Sequence, residues 1–371
     1  MRITCDREKM LAAFQTASPV APARSPKPIL QNVKLEAATS GTVIMATDLE
    51  VGIRSEVAGV EVEAPGSIIL PIGRFGSILR ETGDSVLRIE TEGQGIVVRA
   101  ERSEFHLPAE NPAEFPAVAE FAEDKYHAVS ARLLSRIIRR TAFATDNESS
   151  RYALGGVLLE LNGDKIVAVG TDGRRLAMME GPARSVGGHQ TGDNMTIVPT
   201  RSMHLLDKAL ADGDEEVHIT TRANEVLVKS PRATIYSRLV EGRFPKWRDV
   251  FPKRMDAVRI ELAVGPLHSA VRQAAIVTNE ESRGVDFTFG AGKVVLTGRA
   301  AEVGQSRVEL PIPYDGAAIS ITLDPRFFSD FLKVLEPETT FGLEVKDADS
   351  AAVCQTDDGY GYVIMPLARD R

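Results

Sequence analysis

Long apolar runs are missing from this 371-residue chain. No stretch approaches the roughly 18 residues that a membrane-spanning helix needs, and Met1-Arg2-Ile3-Thr4-Cys5-Asp6 leads into a polar segment instead of a signal-peptide core. A cytoplasmic protein with no membrane partner is expected. Cysteine is scarce: Cys5 and Cys354 stand near opposite ends, outside any CxxC pattern, which excludes a disulfide framework and a thiolate zinc site. Aromatic residues are only 6% of the chain, too few for base-stacking platforms of the kind that hold single strands. Catalytic signatures are also lacking: there is no GxxxxGK[ST] phosphate loop, GxSxG elbow, HExxH pair or complete GxGxxG fingerprint, and the six histidines are scattered. No cofactor or metal is expected.

What is present is a repeat. Gly170-Thr171-Asp172-Gly173-Arg174-Arg175-Leu176-Ala177 follows a hairpin made of Gly156–Leu161, an Asn162-Gly163-Asp164 turn and Lys165–Val169. Ala46-Thr47-Asp48-Leu49-Glu50 lies 124 positions earlier, after the apolar run Thr42-Val43-Ile44-Met45. Leu296-Thr297-Gly298-Arg299 lies 126 positions later, after Lys293-Val294-Val295. Near-equal spacings predict one unit used three times, and three domains over 1–120, 121–254 and 255–371 suit the usual domain size. Phe115-Pro116 and Phe244-Pro245 mark the two junctions.

Each unit reads helix, strands, helix, strands. Helices are expected over 6–17, 72–82, 131–143, 200–211, 266–278 and 325–335, with Asp6 as the first N-cap. Hairpin-type connections between the remaining runs predict an α+β fold with antiparallel sheets and the helices on one side. Formal net charge is −8, which by itself argues against nucleic acid. The helical segments, however, carry 13 Lys and Arg against 5 Asp and Glu, so the rest of the chain holds the acid. Arg132, Arg136, Arg139 and Arg140 recur at helical spacing opposite Leu133, Leu134, Ile137 and Ile138. Helices sharing one side would thus form a positive surface fit for backbone phosphates, without means to read sequence.

Arg151-Tyr152-x-Leu154-x-Gly156, Thr171-Asp172-Gly173-x-Arg175-Leu176-Ala177, Glu241-Gly242-Arg243-Phe244-Pro245 and Tyr362-Val363-Ile364-Met365-Pro366-Leu367 together resemble the bacterial DNA polymerase III β subunit family, the replication sliding clamps. The resemblance spans the chain. It implies a non-catalytic processivity factor: a head-to-tail homodimer closing six domains into a ring on duplex DNA, helices inside and sheets outside, in a nucleoid-associated location. It also implies a pocket for short linear motifs of the replicative polymerase, the clamp loader and other partners, lined by Leu154, Thr171, Gly173, Arg174, Arg175, Leu176, Pro245, Val250, Val363, Met365, Pro366 and Leu367. Trp247 stands beside this pocket.

DNA-facing residues are expected at Arg24, Arg74, Arg80, Arg132, Arg136, Arg139, Arg140, Tyr152, Arg201, Lys208 and Arg272. Phe105 and Leu107 would meet Ile276 and Val277 of a second copy. Two rival readings stand beside this one: an interaction module that never closes into a ring, and metal-assisted hydrolysis at Asp48 and Asp172.

Overall fold

The computed structural model describes residues 1–93, 95–146, 153–192, 194–210, 213–251, 257–279 and 283–367. Its helices are α1 (Arg7–Ala17), α2 (Ile72–Glu81), α3 (Ala131–Thr141), α4 (Thr200–Ala209), the short α5 (Trp247–Val250), α6 (Val264–Ala274) and α7 (Pro325–Lys333). Local chemistry sets their starts. The Asp6 carboxylate accepts from the Glu8 and Lys9 amides at 2.9 and 3.0 Å, Ser130 accepts from Leu133, and Asp324 accepts from Arg326, each satisfying donors that a first turn leaves unpaired.

Each unit opens with a strand just before its first helix that the sequence reading did not identify: Arg2–Asp6, Tyr126–Ser130 and Val258–Ala263. Burial alternates along the first and third, as in a half-covered sheet position, whereas His127, Ala128 and Val129 of the second are all buried. Among the described residues the strands form four antiparallel sheets of five, nine, eight and four strands. The nine-stranded and eight-stranded sheets each belong to two units. Val51–Glu56 pairs with Ala233–Arg238, joining the first unit to the second, and Arg175–Pro182 pairs with Tyr360–Ile364, joining the second to the third. The helices pack as pairs within units, α1 with α2, α3 with α4 and α6 with α7. One cleft is lined by Ile138 and His204 from the second pair and by Val264, His268 and Leu332 from the third, so these pairs lie side by side.

The third related string, Leu296-Thr297-Gly298-Arg299, forms no turn. Thr297 and Gly298 lie inside the continuous strand Lys293–Ala300, because Gly298 supplies no carboxylate to capture the following amides. Both thiols are buried, and burial pushes that of Cys5 up to about 12, which leaves it unreactive near neutrality. No helix among the described residues is long and apolar enough to cross a membrane.

A buried histidine pair ties the edge of the second unit. His127 Nε2 donates to the Gly163 carbonyl at 3.0 Å, so its Nδ1 accepts from His189 Nδ1 at 2.7 Å, and His189 Nε2 accepts from the Thr221 amide at 3.3 Å. Every ring nitrogen is committed with both rings neutral. Burial lowers both pKa values, and the Gly163 bond and Asp164 oppose this only partly at His127. Below about pH 6.5, the ordinary histidine value, the unfolded chain takes up protons that the folded pair excludes. The contribution is therefore complete above that pH and is lost as pH falls. Thermal unfolding of the protein should drop more steeply between about pH 7 and about pH 5 than that of a His127→Asn, His189→Gln variant; parallel curves would contradict the assignment.

Candidate functional site

The Thr-Asp turns are built alike in the first two units. Thr171 Oγ1 donates to the Arg175 carbonyl at 2.6 Å and accepts from the Gly173 amide, while Asp172 Oδ1 accepts from the Arg174 and Arg175 amides at 2.9 and 3.0 Å. Thr47 and Asp48 make the same set with Val51, Leu49 and Glu50. The residue after each Asp has positive φ, 87° at Gly173 and 80° at Leu49. Glycine takes that conformation without steric cost, and Leu49 is held in it by the turn. The two carboxylates thus sit in separate units as Asx caps, with Asp48 also paired to Arg201 and Asp172 to Arg175. Among the described residues no group of three His, Cys, Asp or Glu could hold a metal ion.

Beyond the second turn lies an apolar patch at the junction with the third unit. Leu158, Val169, Leu176, Ile197, Phe244, Trp247 and Val363 form one buried cluster, with Phe251 against it. Leu176 and Val363 face each other across the strands, and the Met365 amide donates to the Arg174 carbonyl at 2.9 Å. Val250 and Met365 are 41% and 46% exposed, Pro245 and Pro366 are half-buried, and Leu367 is half-buried with its amide donating to the Thr322 carbonyl at 2.9 Å. Leu154 and Thr171 are buried under the surface, whereas Gly173 and Arg174 are open to solvent. The outcome is an apolar surface over the middle of the eight-stranded sheet, buried beneath and flanked by open backbone at Gly173 and Arg174, a candidate groove. The Trp247 indole donates to Glu160 and lies beneath the Arg248 guanidinium, which fixes one end.

Arg175 is placed differently from the other expected pocket residues. Its Nε donates to Asp172, one terminal nitrogen to Asp330 at 2.8 Å and the other to the Phe143 carbonyl at 2.9 Å, and the guanidinium lies against the Phe143 and Phe327 rings. It latches the second unit to the third beneath the groove. Arg140 also needs correction as a phosphate-facing group. It sits about 80° round the helix from Arg132 at 100° per residue, is 8% exposed, and donates to Asp358 at 2.7 Å. Burial of Asp358 works against its charge, but the Thr356 hydroxyl and Arg140 outweigh it and hold the carboxyl below the ordinary range.

Arg74, Arg80, Arg132, Arg136, Arg139, Lys208 and Arg272 are exposed on the helices, and Arg24 on its proline-rich loop. Arg201 is exposed but paired with Asp48 and bonded to the Val20 carbonyl, tying the first unit to the second. Tyr152 lies outside the described residues. Ile276 is 75% exposed, Phe105 and Val277 are half-buried, and Leu107 is buried in its own unit. The sequence reading passed over Arg326 and Lys333, exposed on α7, although both were visible as basic residues of a helical segment. It also passed over Asp330 and Asp358, whose partners lie 155 and 218 positions away and leave no local pattern.

Three family models match this architecture in order. The N-terminal domain of the DNA polymerase III beta subunit matches residues 1–119, the central domain 128–246 and the C-terminal domain 248–368. The chain belongs to the DNA polymerase III beta subunit family. It is 31% identical to the beta sliding clamp of Pseudomonas putida, with 99% of this chain and 100% of the relative covered. The clamp of Escherichia coli K12 is 29% identical with the same coverage. The crystal structure of the Pseudomonas aeruginosa subunit superposes with a TM-score of 0.90 at 29% identity, and a clamp from that organism bound to griselimycin with 0.91 at 29%, both over the full length of each chain. As a member of this family the chain is a sliding clamp, a processivity factor for DNA polymerase III with no catalysis of its own.

The buried latch makes a measurable claim. Removing Arg175 strips Asp172 of its cation and leaves Asp330 only the exposed Lys333 at 3.3 Å, a loss of about 3 kcal/mol, the low end for a buried pair broken on one side because Asp330 is partly exposed. Arg175→Met should lower the denaturation midpoint of the second and third domains while leaving that of the first in place; an unchanged midpoint would refute the latch.

Proposed function

We propose that two copies of this clamp close head to tail into a ring around duplex DNA, with domain limits at 1–120, 121–254 and 255–371. The observation carrying this is a pairing rule. Inside the chain, the last strand of one domain adds to the strand that follows the Thr-Asp hairpin of the domain before it, at both junctions. Two strands are left without that partner: Glu104–Pro108, the last of the first domain, and Gly304–Pro311, the corresponding strand of the third. Both are sheet edges, which proteins seldom leave unprotected. Pairing them between copies joins the five-stranded and four-stranded sheets into nine strands, in line with the nine and eight at the other junctions. Ile276 would then be covered as Phe143, its counterpart after α3, is covered by Tyr362.

The helices carrying Arg74, Arg80, Arg132, Arg136, Arg139, Lys208 and Arg272 would line the hole. Their contacts with phosphates are indifferent to sequence, so retention would rest on closure. The groove at Leu176, Val363, Val250 and Met365 would take a short linear segment of the polymerase, the clamp loader or another partner, with apolar side chains in the groove and backbone bonds at Gly173 and Arg174. Loading falls to a separate ATP-driven machine.

After loading by a clamp loader, the protein should stay on nicked circular DNA and be lost from the same DNA once linearised; equal retention on both would reject topological linkage. Ile276→Asp with Val277→Asp should give monomers in sedimentation, since charge is costly in an apolar seam. Met365→Asp should weaken peptide binding about tenfold or more, the loss expected when one apolar contact of about 1.5–3 kcal/mol goes, with the dimer intact. Unchanged affinity would remove the groove assignment.

A further inference from the structure

The groove at the junction of the second and third domains has a counterpart at the junction of the first and second. The repeat fixes the correspondence. Gly52 pairs with Tyr236 where Leu176 pairs with Val363, and the Arg238 amide donates to the Glu50 carbonyl where the Met365 amide donates to that of Arg174, both at 2.9 Å. The floors also correspond: Met45, Ile69, Phe115 and Val118 form a separate apolar cluster whose members stand where Val169, Ile197, Phe244 and Trp247 stand in the other.

The walls differ. Leu176 is replaced by Gly52, and the ring of Tyr236 fills the vacated space so closely that a Cβ at position 52 would lie 2.3 Å from a ring carbon. The Tyr236 hydroxyl donates to the Leu49 carbonyl at 3.2 Å, the backbone group equivalent to that of Gly173. Arg238, in the place of Met365, turns to Glu50 at 3.4 Å.

We propose that this junction is a second copy of the peptide groove, permanently occupied by the chain's own Tyr236, and that this side chain confines docking to one site per chain. The tyrosine supplies both things an incoming peptide would bring, an apolar body for the groove and a donor for the turn's carbonyl. Its natural ligand class once vacated is the same: a short extended segment with aliphatic or aromatic anchors. The inference rests on the peptide reading of the other groove.

The test counts sites. A synthetic peptide of about ten residues with leucine and phenylalanine anchors is titrated calorimetrically into four full-length proteins. One tight site per chain is expected for the unaltered protein, and a site weakened about tenfold or more for Met365→Asp. Tyr236→Val with Arg238→Met, which installs the side chains of the open groove, should bind two, and that variant combined with Met365→Asp should bind one tightly, crosslinking near Val118. Tyr236→Leu, too short to reach the Leu49 carbonyl, is a second opening variant in case the first lowers the unfolding midpoint. Tyr236→Phe keeps the ring and should stay at one site. No binding to the unaltered protein would overturn the peptide reading itself. One site there and still one on the folded opening variants, weakened by Met365→Asp, would overturn the plug alone.

Discussion

Backbone hydrogen bonding across domain boundaries is the constraint on which the architecture depends. A strand that ends a domain has one row of amides and carbonyls without a partner, and water or another strand must satisfy it. In this clamp the next domain's sheet is the partner: Val51–Glu56 with Ala233–Arg238, and Arg175–Pro182 with Tyr360–Ile364. Side chains then tighten the two joints by different means. Arg201 to Asp48 secures the first, and Arg175 and Arg140 to Asp330 and Asp358 secure the second.

The Thr-Asp turn sits at the start of each joining strand, which explains how one local motif serves two roles. Its threonine and aspartate use their oxygens to cap amides, so the chain reverses at a fixed angle and the strand beyond it begins in a fixed register. At the second joint the residue with positive φ is a glycine, which leaves backbone uncovered beside an apolar floor. At the first it is Leu49, and Tyr236 covers the same carbonyl.

Much of this was legible in the sequence because it is local. The cap at Asp6, the Asn162-Gly163 hairpin and the amphipathic α3 all depend on residues a few positions apart, and the three-unit spacing on short strings that recur. The proposed groove was drawn from motifs, Thr171–Leu176 and Val363–Leu367, which are contiguous strings in the sequence. What the sequence concealed depends on distant partners. Arg140 shares a charge and a helical spacing with Arg136, and both approach Asp358, but Arg140 is buried against it at 2.7 Å while Arg136 stays exposed at 3.8 Å. Arg175 stands next to Arg174 in the same motif, yet a carboxylate on α7 draws it inward. The third string forms no turn because Thr297-Gly298 keeps the hydroxyl and drops the carboxylate, and the carboxylate makes the turn.

The Arg175 latch has a further consequence for the cost of recognition. One face of the Gly173-Arg174-Arg175 segment borders the groove, and the other is bolted through Asp330 to the third domain. The groove's two walls come from different domains, yet their spacing is already set by a buried ion pair and two strands in register. Under the proposed reading, a segment settling there would spend none of its contact energy on bringing domains together. Even a few apolar anchors can then register as affinity, and the contact can be short enough to exchange.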